Sequence, residues 1–355
     1  MQFTNSAVCC VRRRRTNVNY LGDYSGIPSR NVSLLEGIRN RVGKDGDVLY
    51  APGVKLTTNG DTISMNNYQY TGKAKFPSTE DNGVMIEQAV RIAQSADVII
   101  AAVGENEQFV RESGGPDRWG DAATLDLLSN QDDLVKALIA TGKPVIVYCM
   151  NGRPLSINYI AQHANAVIEG WFMGEEAGNA IANILFGDVN PSGKLTISIP
   201  KSVGQLPVYY NRKSSAHAYE YVHESNQPLY PFGFGLSYTT YSYSEPKLSD
   251  NILQQKGTVN VSINVSNTGN RRGEEIVQLY IHQQTASVTR PVKELKAFKK
   301  ISLEPGETKT VTFKIDRNLL SFWRADMTYG TEPAKVEIMT GPSSTQLQKT
   351  VLTIL

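Results

Sequence analysis

Residues 111–120 read Arg-Glu-Ser-Gly-Gly-Pro-Asp-Arg-Trp-Gly, and two further acids, Glu105 and Glu107, stand just ahead of them. A carboxyl such as Glu112 can give or take a proton. Asp117 and Arg118 can contact a polar ligand, or they can pair with each other and shape the loop. Glycines and proline keep this stretch out of helix and strand. An acid in a polar loop means little by itself, so its placement has to be argued. It follows directly on the apolar run Ala96-Asp-Val-Ile-Ile-Ala-Ala-Val-Gly104, which has the length and composition of a buried strand.

The surrounding elements fix where that loop emerges. Leu34, Leu35, Ile38 and Val42 give helical spacing over 33–42, and the strand Asp47–Ala51 follows. In 81–96, Ile86, Ala89, Val90 and Ala93 fall at i, i+3, i+4 and i+7, so a helix leads into the strand 98–103. A third helix spans 130–141, with a buried strand at Val145–Met150. A short helix, a strand at 165–170 and a helix at 174–186 complete the series. Short apolar strands alternating with helices predict an α/β fold with a mainly parallel sheet flanked by helices. In such sheets ligands bind at the carboxyl ends of the strands. The loops after Val103, Met150 and Gly170 therefore share one rim.

After Phe234 the period changes. Val259-Asn-Val-Ser-Ile-Asn-Val-Ser266 alternates strictly, and strands are expected at 275–282, 295–303, 309–315 and 335–340 with turns such as Glu304-Pro-Gly306 between them. This predicts an all-β sandwich. Three regions result: an atypical N-terminal segment at 1–15, an α/β domain at 16–240 and a sandwich at 241–355. The first segment, MQFTNSAVCCVRRRR, shows no helical or strand period beyond Ala7–Val11 and reads as a solvated terminus.

Composition narrows the function classes. The chain has 355 residues, a net charge of +2, 40% hydrophobic and 20% charged residues, an ordinary balance for a soluble globular protein. No basic patch with interleaved aromatics points to nucleic acid, and no apolar run or signal-peptide order points to a membrane. The compartment stays open between periplasmic or secreted and cytoplasmic. Cys9, Cys10 and Cys149 form neither a disulfide framework nor a metal site, and His163, His217, His223 and His282 lack ligand spacing, so no metal or cofactor is expected. The stretch Gly22-Asp-Tyr-Ser-Gly26 is no phosphate cradle. Glu175 and Glu176 suit the first turn of a helix, and Asn151-Gly-Arg-Pro154 suits either a structural turn or a contact to a neighbouring domain.

Several stretches in order now resemble one family. They are Tyr20–Gly26, Gly104–Glu107 with Glu112 after it, Asp117-Arg118 followed by Leu125–Leu127 and Gln131, Thr141–Val145, Asn151–Pro154, Gly174–Gly178, Leu185–Lys194 and Pro228–Tyr238. On these residues 16–240 resemble the α/β sandwich domain of glycoside hydrolase family 3, and 241–355 resemble the fibronectin type III-like domain that often follows it. The N-terminal Ala7–Arg15 departs from the strand and Gly-Pro-Asn turn with which relatives begin this domain.

The resemblance implies a retaining exo-acting β-glycosidase, a β-glucosidase foremost, acting on β-linked oligosaccharides or glycosides. Retention needs two carboxyl groups about 5–5.5 Å apart. In the family the nucleophilic aspartate lies on a preceding TIM barrel, and the acid/base glutamate comes from a loop of the α/β sandwich. Glu112 matches that glutamate, with Glu105 and Glu107 as rivals because relatives space the acid differently from the Asp-Arg pair. Asp117, Arg118 and Trp119 become candidate substrate contacts, the indole as an apolar wall or a face for a sugar. A barrel has no counterpart in this sequence, so the expectation is a C-terminal portion that is inactive alone and needs the barrel in cis or trans. The other expectation is a non-catalytic two-domain protein that binds carbohydrate or a partner.

Overall fold

Caps and apolar stripes start the helices where the sequence places them. In the computed structural model, which describes residues 29–58, 75–105, 122–214 and 220–355 together with the backbone of 7–10, helix α1 (Leu34–Val42) begins after Ser33, whose hydroxyl accepts from the Glu36 N–H. Helix α2 (Thr79–Gln94) begins after Ser78, which accepts from the Asp81 N–H at 3.0 Å. Each cap satisfies a donor that the first helical turn leaves free. The chain divides into two compact units, one of residues 1–189 with 201–203 and one of residues 190–200 with 204–355.

The first unit is built on strands β1 (Ala7–Cys10), β2 (Val48–Tyr50), β3 (Val98–Gly104), β4 (Val145–Met150) and β5 (Ala166–Glu169). All pair in parallel, in the order β2-β1-β3-β4-β5. Helices α3 (Gln131–Ile139), α4 (Asn158–His163) and α5 (Ala177–Leu185) complete it. Leu34, Ile38 and Val42 of α1 and Ile181 of α5 pack with Ile100 and Tyr148 of the central strands. Residues such as Ile99, Ala101 and Val103 alternate with these and are also buried. A sheet covered on both faces needs such continuously apolar strands.

The N-terminal segment differs from its expectation. Ala7–Cys10, read from sequence as part of a solvated terminus, is a strand between β2 and β3, with Val8 opposite Leu49 on one side and Ile99 on the other. A short apolar run beside four arginines carries no periodic signal, and only pairing on both edges reveals it as a sheet interior. The resulting order reverses direction between β1 and β3, which is where open parallel sheets form a crevice outside their carboxyl ends.

The second unit is a sandwich. Its strands are β6 (Tyr241–Tyr243), β7 (Lys247–Leu248), β8 (Ile252–Leu253), β9 (Val259–Asn267), β10 (Gly273–Gln283), β11 (Glu294–Leu303) and β12 (Thr308–Ile315), then β13 (Phe322–Trp323), β14 (Tyr329–Gly330), β15 (Ala334–Gly341) and β16 (Gln348–Ile354). One sheet runs β11-β10-β15-β16-β8 and the other β12-β9-β6, with β7 also on β9. Alternate residues Val259, Val261, Ile263 and Val265 of β9 meet Val277, Leu279 and Ile281 of β10 and Val336 and Ile338 of β15 in one core. Residues 190–200, 204–214 and 220–240 group with the sandwich. Asn190 explains part of this: its Oδ1 accepts from the Tyr238 N–H at 2.8 Å, and its Nδ2 donates to the Arg272 carbonyl at 3.0 Å.

Candidate active site

Three strand ends, β3, β4 and β5, bring Glu105, Arg153 and Glu169 to the carboxyl edge of the parallel sheet. At the end of β3 the chain must pass very close to β4. Gly104 has φ +133°, and a Cβ there would lie 2.0 Å from the Met150 carbonyl oxygen, so a side chain is excluded. The next N–H, of Glu105, donates to that same carbonyl at 2.9 Å. The buried Gln131 at the start of α3 completes the turn. Its Oε1 accepts from the Gly104 N–H at 2.8 Å, while Nε2 donates to the carbonyls of Gly104 at 2.8 Å and Leu128 at 3.0 Å.

Glu105 is buried and ionically paired. Arg153 Nε donates to Oε1 at 2.8 Å and Nη2 to Oε2 at 3.0 Å, a two-pronged contact with side-chain exposures of 2% for Glu105 and 16% for Arg153. The third arm, Nη1, donates to the carbonyl of Thr124. Arg153 itself sits in a turn held by Asn151, whose Nδ2 donates to the Arg153 carbonyl at 2.7 Å. An isolated buried carboxylate would be costly, and this fork satisfies both of its oxygens.

Glu169 is a different kind of carboxyl. Burial pushes its pKa up to about 7, against the opposing pull of the Trp171 N–H and the Asn151 side chain. The Trp171 N–H reaches Glu169 Oε1 at 3.2 Å, and Trp171 holds a left-handed φ of +51° that a non-glycine residue adopts at some cost. The same buried neighbourhood pushes the Cys149 thiol up, by burial first and then by the charge of Glu169. Sequence reasoning passed over Glu169. Its one signal was an acid ending an otherwise apolar strand.

Of the residues singled out from sequence, Glu105 lies on this rim among described residues. Glu107, Glu112, Asp117, Arg118 and Trp119 lie outside the described residues. They fall between Glu105, one residue past β3, and Ala122, where the described residues resume. Among the described residues no group of three or more His, Cys, Asp or Glu side chains could hold a metal ion, and no helix is long and apolar enough to cross a membrane.

Comparison with known proteins decides the family. The description "Glycosyl hydrolase family 3 C-terminal domain" matches residues 4–238, and "Fibronectin type III-like domain" matches 275–344. The chain belongs to glycoside hydrolase family 3. The family 3 match begins at residue 4, so it takes in the strand Ala7–Cys10 that the sequence reading left outside. The chain is 42% identical over 342 residues to the periplasmic β-glucosidase of Salmonella typhimurium, covering 93% of this chain and 44% of that protein. It is 41% identical to a β-xylosidase of Formosa agariphila, covering 94% and 43%. Among solved structures, a β-glucosidase of Erythrobacter marinus superposes with a TM-score of 0.90 at 37% identity, covering 99% of this chain and 47% of that one. The β-glucosidase of Listeria innocua in complex with glucose superposes with a TM-score of 0.80 at 30% identity, covering 99% and 46%. The chain thus spans less than half the length of each of these family 3 relatives.

Proposed function

We propose that this family 3 chain supplies the general acid/base of a retaining β-glycosidase, with Glu112 as that group and terminal β-D-glucosyl units of β-linked glycosides as its substrate. The observation that carries the reading is that the segment containing Glu112 leaves the sheet directly after β3, beside the strand-order reversal at the carboxyl rim. The relatives are β-glucosidases and a β-xylosidase, which supports the substrate class. Glu105 is a poor candidate for proton transfer, because both of its oxygens are taken by Arg153 and its side chain is sealed from solvent. Glu107 remains the rival within the segment. Asp117, Arg118 and Trp119 act as sugar contacts in this reading, the indole as a wall that favours a protonated acid.

In the first half of such a reaction the acid donates its proton to the leaving glycosidic oxygen while a second carboxylate attacks the anomeric carbon. In the second half it takes a proton from the incoming water. The second carboxylate, an aspartate of a barrel domain in this family, reaches the chain in cis or in trans. The test is hydrolysis of an aryl β-glucoside by the chain with and without a barrel domain of a relative. Turnover with the barrel, lost in Glu112→Gln and kept in Glu107→Gln, is expected. Equal turnover by Glu112→Gln would remove Glu112 from the role, and turnover by the chain alone would remove the need for an external nucleophile.

A further inference from the structure

One guanidinium ties together both stems of the segment that carries Glu112. Glu105 is the last residue before that segment, and Thr124 lies just beyond it. Arg153 takes both oxygens of Glu105, at 2.8 and 3.0 Å, and the carbonyl oxygen of Thr124 with its remaining arm. Its neighbour Ser156 adds a second tie, donating its N–H to the Leu125 carbonyl at 2.7 Å. The contact is not an ornament of the surface, since both side chains are largely buried and the pairing is shielded from salt.

The residue type matters here. Three directed donors in one rigid plane are a property of arginine, whereas lysine presents a single point charge that could serve Glu105 or Thr124 but not both in the same geometry. Holding the stems together also removes part of the entropy that closing the intervening segment would otherwise cost. A proton donor acts well only when its oxygen is held within hydrogen-bond reach of the leaving atom, so the base of the segment has a direct bearing on proton transfer.

We propose that Arg153 is a positioning residue for the acid/base carboxyl, acting through Glu105 and Thr124 and never touching the sugar. This rests on the assignment of Glu112 above. It predicts a selective defect. In the first half-reaction a poorly positioned acid harms glycosides whose leaving group must be protonated and spares those whose leaving group departs as a stable anion, while the second half slows alike for both.

The experiment compares Arg153→Met, Arg153→Lys and Glu105→Gln with the unaltered chain, each combined with a relative's barrel domain. Hydrolysis of an alkyl β-glucoside and of a dinitrophenyl β-glucoside is followed, together with hydrogen exchange in the chain alone. Expected is a fall of about tenfold or more in kcat/KM for the alkyl glucoside relative to the dinitrophenyl glucoside, because kcat/KM reports the half-reaction in which the leaving group is protonated. Lysine should not restore it. Faster exchange is expected at the Glu105 and Ser156 amides, with β9 and β10 unaffected. Equal loss of kcat/KM on both substrates, or unchanged exchange at those two amides, would overturn the proposal. The Glu112→Gln variant separates the two ideas. If it keeps full alkyl-glucoside turnover, the acid/base assignment has failed, while exchange at Glu105 and Ser156 still judges the clamp.

Discussion

At the rim of the parallel sheet Glu105 meets Arg153, and in the sandwich unit Glu275 meets Lys194, with Nζ 3.2 Å from Oε1 and side-chain exposures of 3% and 10%. Both pairs bury charge; the second fastens an irregular stretch to β10, and the first joins a turn to the residue just past β3. In the sandwich, Lys194 also donates to the Gly235 carbonyl at 3.0 Å, and the Tyr243 hydroxyl donates to Glu275 at 2.8 Å. Burial and the Glu275 charge push that hydroxyl far above the ordinary tyrosine range. Every arm of that cluster ends on the unit's own framework. The Arg153 fork instead ends on Glu105 and Thr124, which flank residues 106–121 in the chain. The same buried chemistry therefore closes a framework in one place and, in our proposal, steadies the segment of the candidate acid in the other.

Breaking the sandwich pair is the largest expected effect. Lys194→Met strands Glu275 as an unpaired buried carboxyl and should cost about 3–5 kcal/mol in urea unfolding of the sandwich, with no change in the leaving-group ratio that Arg153 variants alter. A change in that ratio would erase the contrast between the two pairs.

Glycines give the second comparison. Gly104→Ala places a methyl group 2.0 Å from a backbone carbonyl at φ +133°, so it should cost about 3 kcal/mol or more and disrupt the β3–β4 pairing. Gly306 in the sandwich has φ +76° but open space around it, and Gly306→Ala should cost only about 1 kcal/mol, the strain alone. Similar losses in chemical denaturation would mean that the rim can relax.

Glu169 supplies a pH test. Its pKa rises from 4.5 to about 7 on folding because burial disfavours the charged form. Between those values the folded chain binds the extra proton, so stability from this group is full below about pH 4.5 and falls as pH rises through 7. The difference amounts to about 3 kcal/mol as an order of magnitude. Glu169→Gln should match the unaltered chain near pH 4 and exceed it in thermal stability near pH 8. A parallel pH dependence in both proteins would show that burial at this rim is not what holds the proton. The smallest effect expected is Ser78→Ala, which removes the α2 cap for about 1 kcal/mol and should leave the rim and the sandwich alike intact.

Legibility followed physical range. Helices α1, α2 and α3 and strands β3, β4, β9 and β12 came within a few residues of expectation because their apolar periods are local. The strand β16 went unread, since Gln348–Ile354 mixes exposed Lys349 and Val351 with buried Leu352 and Ile354 over a short span. For the site, the order of motifs along the chain singled out the segment with Glu112. Among its neighbours, Arg153 was visible only as part of a turn, with its partner undecided.

The sequence by itself determined the family, the α/β and all-β halves, and the strand from which the candidate acid's segment departs. Those follow from composition, short-range periodicity and ordered motifs, all properties of neighbouring residues. Only the tertiary structure decided that Ala7–Cys10 lies inside the sheet, that Arg153 joins Glu105 to Thr124, and that the surroundings of the half-buried Glu169 push its carboxyl above the ordinary range. Pairing partners and desolvation depend on which distant residues come together, and no local pattern carries that information.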